Sequence, residues 1–263
     1  MNPSMNSQVT NSARRERMSA LLGMLAIVSS CGTAAQAATV NVNPSQDTSI
    51  YNEGDASNAL GALYAGATAG AQLRRALMEF DIAGSGIPAG STINSVTLSL
   101  TLTKIGPAGA APFELHPLLS SWGEGTSFGT GQGSAATPLD ATWNYRFYNT
   151  NLWTTAGGDV GATSGTANIG SAAGTAYTFA SQPGLVANVQ TWLDFPGSNF
   201  GWILRAADET PSNVSARAFG SRESVPAQRP TLTVNYTPTP EPGTFSLLAA
   251  AGLAAFAQRR RSA

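Results

Sequence analysis

Val96, Leu98, Leu100 and Leu102 alternate with Thr97, Ser99, Thr101 and Thr103. Side chains of an extended chain point to opposite faces with a period of two, so this segment predicts a strand with one apolar and one hydroxylated face. Met78, Phe80 and Ile82 repeat the pattern against Leu77, Glu79 and Asp81, and Gly201-Trp202-Ile203-Leu204 predicts a more deeply buried strand. Leu232, Val234 and Tyr236 predict a closing strand. Helical spacing is confined to Leu185, Val186, Val189, Trp192 and Leu193, after the punctuation Pro183-Gly184, and predicts one short helix. Gly and Pro recur between these segments, so the other strands must be short. The fold class that fits is all-β, an antiparallel β-sandwich of jelly-roll type with one short helix. The stretch from Thr154 to Thr178, rich in Gly, Ala, Ser and Thr, has little apolar surface to give a core and reads as a mobile loop or an O-glycan acceptor region.

The two ends break this pattern. Arg14, Arg15 and Arg17 precede the apolar stretch Leu21 to Val28, and Ala35-Gln36-Ala37 follows, which is the layout of a secretory signal peptide cut after Ala37. Two alternatives stay open: Arg14-Arg15 suits twin-arginine export, and Val28-Ser29-Ser30-Cys31 resembles a lipobox whose cysteine is lipidated. At the other end Pro240-Glu241-Pro242 is followed by an uncharged run from Phe245 to Ala257 and then by Arg259-Arg260-Arg261. The run can enter a bilayer, whereas the arginines stay cytoplasmic. Thirteen helical residues reach only about 20 Å against a hydrocarbon core of about 30 Å. The tail therefore reads as a transient, cleavable membrane anchor, with a buried or interfacial helix as the plainer alternative. The domain limits are thus 1–37 for the signal peptide, 38–237 for one sandwich domain and 238–263 for the C-terminal signal.

Composition narrows the chemistry. Cys31 is the single cysteine, so the ordinary cut leaves a chain with no disulfide, thiolate metal site or cysteine nucleophile. Residues 38–237 carry seven Arg and Lys104 against thirteen Asp and Glu, a net charge near minus five, which does not suit nucleic acid as a partner. His116 is the only histidine and has no GxSxG elbow or other nucleophile context around it. One histidine cannot supply a zinc site either, so it reads as structural. Carboxylates in loop-like sequence could still form the acid pair of a glycoside hydrolase, but solvated loop charges are the simpler reading.

Binding is better supported. Sugar rings stack their C–H faces on aromatic rings and need amide, carboxylate or guanidinium partners for their hydroxyls. The segment from Trp122 to Trp153 holds both ingredients, and Trp143, Tyr145, Arg146 and Trp153 are the candidate glycan surface. Calcium is the candidate cofactor, because oxygen ligands can fasten loops that no disulfide holds. Asp47, Glu53, Asp55 and Asp159 are its candidate ligands.

Two resemblances extend this reading. The proline-acid-proline motif, apolar helix and arginine stop resemble the PEP-CTERM sorting signal that Gram-negative bacteria place on exported proteins. That resemblance implies an exosortase-type processing enzyme as partner and a destination at the cell surface or in the extracellular matrix. The order of RALMEFDI at 75–82, IPAGSTINSVTLSL at 87–100, Trp122-Gly123-Glu124-Gly125, VQTWLD at 189–194, NFGWILR at 199–205, FGSRES at 219–224 and RPTLTVNY at 229–236 resembles the DNRLRE domain family. That family implies a jelly roll related to carbohydrate-binding modules. The functional expectation is a non-catalytic surface or matrix protein that binds extracellular polysaccharide. A structural biofilm protein without a defined ligand is the alternative, and a glycoside hydrolase or polysaccharide lyase a weaker one.

Overall fold

The computed structural model describes residues 36–210 and 212–239. The signal peptide with Cys31, and the motif Pro240-Glu241-Pro242 with Arg259, Arg260 and Arg261, lie outside the described residues. Among the described residues fifteen strands run in chain order as β1 (Ala38–Val42), β2 (Gln46–Tyr51), β3 (Ala56–Ser57), β4 (Leu63–Ala67), β5 (Leu73–Glu79), β6 (Thr92–Thr101), β7 (Ala111–Pro117), β8 (Ser134–Ala135), β9 (Tyr145–Phe147), β10 (Asn151–Leu152), β11 (Gly165–Ile169), β12 (Ala176–Phe179), β13 (Trp202–Ala206), β14 (Arg217–Phe219) and β15 (Thr231–Thr237). One α-helix, α1 (Pro183–Asp194), separates β12 from β13.

One sheet has the order β1-β15-β6-β12 and the other contains β11-β7-β13-β5-β2, every pairing antiparallel. Counting only β1, β5, β6, β7, β11, β12, β13 and β15, the first sheet reads 1-8-3-6 and the second 5-4-7-2. That strand order, in which successive strands cross between the sheets except 4 and 5, which pair with each other, is the jelly roll. The predicted sandwich is therefore observed, with β2, β3, β4, β8 and β14 added to the second sheet.

The core lies between the sheets. Val96, Leu98, Leu100 and Leu102, Met78, Phe80 and Ile82, and Leu232 and Val234 are all fully buried in it, which is the alternation read from sequence. The helix opens on Pro183, where a missing N–H costs no hydrogen bond, and buries Leu185, Val189, Trp192 and Leu193. Gln190 on the same helix accepts the Ile93 N–H through Oε1, tying α1 to the start of β6. Gly201 enters β13 at φ +74°, and a Cβ there would lie 2.1 Å from the Met78 carbonyl oxygen, so only glycine lets β13 close on β5.

The stretch from Thr154 to Thr178 departs from its expected loop. It contributes β11 and the start of β12, and Ile169 is fully buried in the core. Backbone pairing to β7 and β6 compensates for its few apolar side chains.

A second apolar cluster covers the outer face of the larger sheet. Ile50, Leu77 and Ile203 point outward from β2, β5 and β13 and are covered by Leu118, Trp122, Ala141 and Trp153 from the connection between β7 and β11. Leu77, which alternation placed on a polar face, is thus buried as completely as Met78.

Candidate functional site

The aromatic residues of the 122–153 segment serve chiefly as this outer cover. Trp153 is 5% exposed, and its indole Nε1 donates to the Thr142 carbonyl at 2.9 Å. Trp122 is equally enclosed and donates to the Phe200 carbonyl. Trp143 is half-buried, with the Arg75 guanidinium 4.6 Å from its ring centroid. Arg75 is itself held by both oxygens of Glu209 and by the Gly157 carbonyl, so this face of the indole is occupied. Tyr145 packs edge-on against Tyr148, and Arg146 donates to the carbonyl and hydroxyl of Ser121. The four candidate glycan residues therefore share one loop region without forming an open aromatic platform.

The four candidate calcium ligands are engaged at separate places. Glu53 pairs with Arg74 at 2.7 Å, Asp55 accepts from Thr142 and Asn144, and Asp159 accepts the backbone N–H groups of Thr154 and Thr155. Asp47 sits apart from these three partner sets. It is fully buried, and burial above all, with the Glu223 and Glu124 charges adding, pushes its carboxyl up to about 8. His116 is buried between the Gly161 carbonyl, Glu114 and Arg205, a structural setting.

Two concavities stand out. One, of about 240 Å³, lies between Ser45, Glu79, Asp81, Trp192, Pro196 and Asn199. Its polar groups are taken: Glu79 accepts from Gln46, Asp81 accepts from the Gly84 N–H, and Asn199 donates to the Phe80 carbonyl.

The other, of about 220 Å³, opens where β4, the start of β5, the turn after β6 and β14 meet. Its walls include Tyr64, Thr68, Arg74, Lys104, Ile105 and Arg217, and no acidic side chain among the described residues lines it. Arg74 and Arg217 form its base and are almost fully buried. Arg217 donates to the carbonyls of Gly170, Ser215, Ala216 and Gly109, with no carboxylate partner among the described residues. Lys104 differs: among the described residues its ammonium reaches only the Tyr64 hydroxyl, at 3.1 Å, and lies 5.5 Å from that ring's centroid. Both Lys104 and Ile105 are exposed on the rim. Three cations against the single carboxylate of Glu53 leave the cleft positive on a domain whose overall charge is negative. Sequence reasoning overlooked it because Tyr64, Lys104 and Arg217 lie far apart along the chain and share no motif. The signal that could have found it is the solitary lysine.

Residues 238–261 match the PEP-CTERM protein-sorting motif. The motif marks an exported, envelope-associated protein and implies processing by an exosortase. Comparison with curated proteins finds no match. Among the described residues no helix is long and apolar enough to cross a membrane.

Proposed function

We propose that the sandwich is a non-catalytic module that holds acidic polysaccharide at the cell surface or in the surrounding matrix, through the cleft of Tyr64 and Lys104. One observation carries this: Lys104 is an exposed cation with no carboxylate or carbonyl partner among the described residues, beside an aromatic ring in a cleft lined by no acid. An ammonium fixes the carboxylate of a uronate, and the phenol ring offers a face for the sugar's C–H groups. Export by a surface-sorting signal puts the module where such polymers are. The order of motifs resembling the DNRLRE family, and the jelly roll itself, support a carbohydrate-binding role by analogy only.

The test is isothermal titration of the full chain, in mild detergent, with polygalacturonate and with a neutral glucan. Binding of the polyuronate is expected, weakened ten- to a hundredfold by Lys104→Glu, because a charge-assisted hydrogen bond contributes about 1.5–3 kcal/mol. Tyr64→Ala should weaken it less and equally at all salt concentrations. Binding that ignores both substitutions would move the site elsewhere, and absence of binding to either polymer would leave a structural matrix role.

A further inference from the structure

A different feature lies where β2, the Trp122–Gly125 loop and the turn after β14 converge. Asp47, Glu124 and Glu223 each offer a carboxylate oxygen there, and the three oxygens lie within 4.8 Å of one another. The backbone draws them together. The Asp47 N–H donates to Glu124 Oε1 at 2.8 Å, and the Arg222 N–H donates to Asp47 Oδ2 at 2.8 Å. Asp47 Oδ1, on a residue with no exposed surface, has no hydrogen-bond partner among the described residues. A buried carboxylate oxygen left without a donor is costly unless something positive satisfies it.

The Arg222 side chain supplies charge but does not reach that oxygen. Its guanidinium forks onto Glu124 through Nε and an Nη, at 2.6 and 2.7 Å, and Nε also lies 2.9 Å from Glu223 Oε1. One cation thus serves two of three carboxylates and leaves the most buried one unserved. The Arg222 side chain is 36% exposed, so it can turn into solvent without repacking the core, while its backbone N–H stays on Asp47.

We propose that Asp47, Glu124 and Glu223 form a site for a hard divalent cation, calcium being the fitting case, with Arg222 as the group that the ion displaces. Three carboxylates from three chain segments, all oxygen donors, suit calcium's preference for six to eight oxygens at about 2.3–2.6 Å, completed by water and carbonyls. An ion bound there would link β2 to the 122–125 loop and to the turn that leads into β15. This differs from the set read in the sequence, of which only Asp47 takes part.

The experiment is thermal unfolding of the full chain in mild detergent, freed of metal with EDTA and titrated with calcium chloride, with magnesium chloride at the same ionic strength as a parallel arm. The expected result is a saturable calcium-dependent rise in Tm of about 3–5 °C, with a midpoint on the order of 0.1–1 mM. Glu223→Gln, an exposed and nearly isosteric change outside the core, should raise that midpoint about tenfold. Arg222→Ala should lower it, because the competing cation is gone. Calorimetry on the wild type should give one calcium per chain. A Tm indifferent to calcium in both the wild type and Arg222→Ala would overturn the proposal. So would a calcium response unchanged by Glu223→Gln and by Asp47→Asn, since the ion would then sit elsewhere.

Discussion

Replacing Trp153 by alanine separates support from recognition in the aromatic loop. The indole is buried against Ile50, Leu77, Trp122 and Ile203, and its N–H is spent on the Thr142 carbonyl. Truncating a buried Trp removes the burial of its large apolar surface and leaves a cavity, together about 3–5 kcal/mol. The orphaned Thr142 carbonyl adds about 1 kcal/mol where water cannot reach it. Domains of this size have about 5–15 kcal/mol of stability in all, so Trp153→Ala should stay folded at room temperature yet lose a large part of its denaturation midpoint. Trp143→Ala should cost less, about 1–2 kcal/mol, because that ring is half-buried at the edge of the outer cluster with the Arg75 guanidinium over one face. The assay is urea unfolding followed by Trp fluorescence, with polyuronate titration of each variant under native conditions. The expected pattern is a large midpoint loss for Trp153→Ala, a small one for Trp143→Ala, and polymer binding retained by both. A Trp153→Ala protein of unchanged midpoint that no longer binds polymer would refute the assignment of this ring to the outer core.

Arg217→Met should destabilise the domain by about 3 kcal/mol, since four carbonyls lose their donor together; guanidinium-free side chains cannot replace the fork, and Arg217→Lys should recover less than half in urea unfolding. Gly201→Ala should cost about 2 kcal/mol or more, read as a lowered Tm, because the backbone is left-handed and the new Cβ meets the Met78 carbonyl. Burial raises the Glu79 carboxyl above its ordinary value, against the donation from Gln46. A raised folded pKa means that this group's stabilisation is complete below the unfolded value near 4.5 and is lost as pH rises through the folded one. Glu79→Gln should therefore gain in Tm relative to wild type as pH rises from 4 to 7; a difference that is flat across that range would contradict the burial argument.

The parts of the fold that were legible in sequence are those governed by local period. Val96 to Leu102 and Leu232 to Tyr236 pack one face on the core, and their alternation carries that fact residue by residue. The helix was equally visible, because Leu185, Val189 and Trp192 repeat at helical spacing in a chain otherwise punctuated by glycine. Leu77 was misplaced because β5 is covered on both faces, and a strand buried on two sides loses the polar half of its alternation. That Trp122 and Trp153 are buried in the outer cover was not legible, since a ring that closes an outer face and a ring that meets a sugar share the same sequence context. β11 was missed because Thr166 to Asn168 joins the sheet by backbone pairing, which side-chain hydropathy does not report.

The deeper regularity is how the domain uses its cations. No cysteine lies in residues 38–237, so the long loops of the sandwich must be held without disulfides. Arginine takes that part. Arg217 gathers four carbonyls, Arg74 ties the Gly131 carbonyl to Glu53 and Gln132, Arg75 joins Glu209 to Gly157, and Arg205 joins Glu114 to His116. Arg146 holds Ser121, Arg222 holds Glu124, and Arg229 holds the Ser224 carbonyl. A planar five-donor fork suits this task, because it satisfies several loop carbonyls at once and stays charged at any ordinary pH. Lysine, a point charge on a flexible stem, is poorly suited to it, and the domain has one. That lysine is the cation left over when the structural contacts are satisfied, and it stands on the rim of the cleft that no acid lines. An exposed cation whose contact among the described residues is a single tyrosine is free to take an anionic partner from outside. Lys104→Ala should for that reason leave the unfolding free energy from urea titration within about 0.5 kcal/mol of wild type while it weakens polyuronate binding. Loss of stability in step with loss of binding would make Lys104 one more structural cation and remove the ground for the cleft.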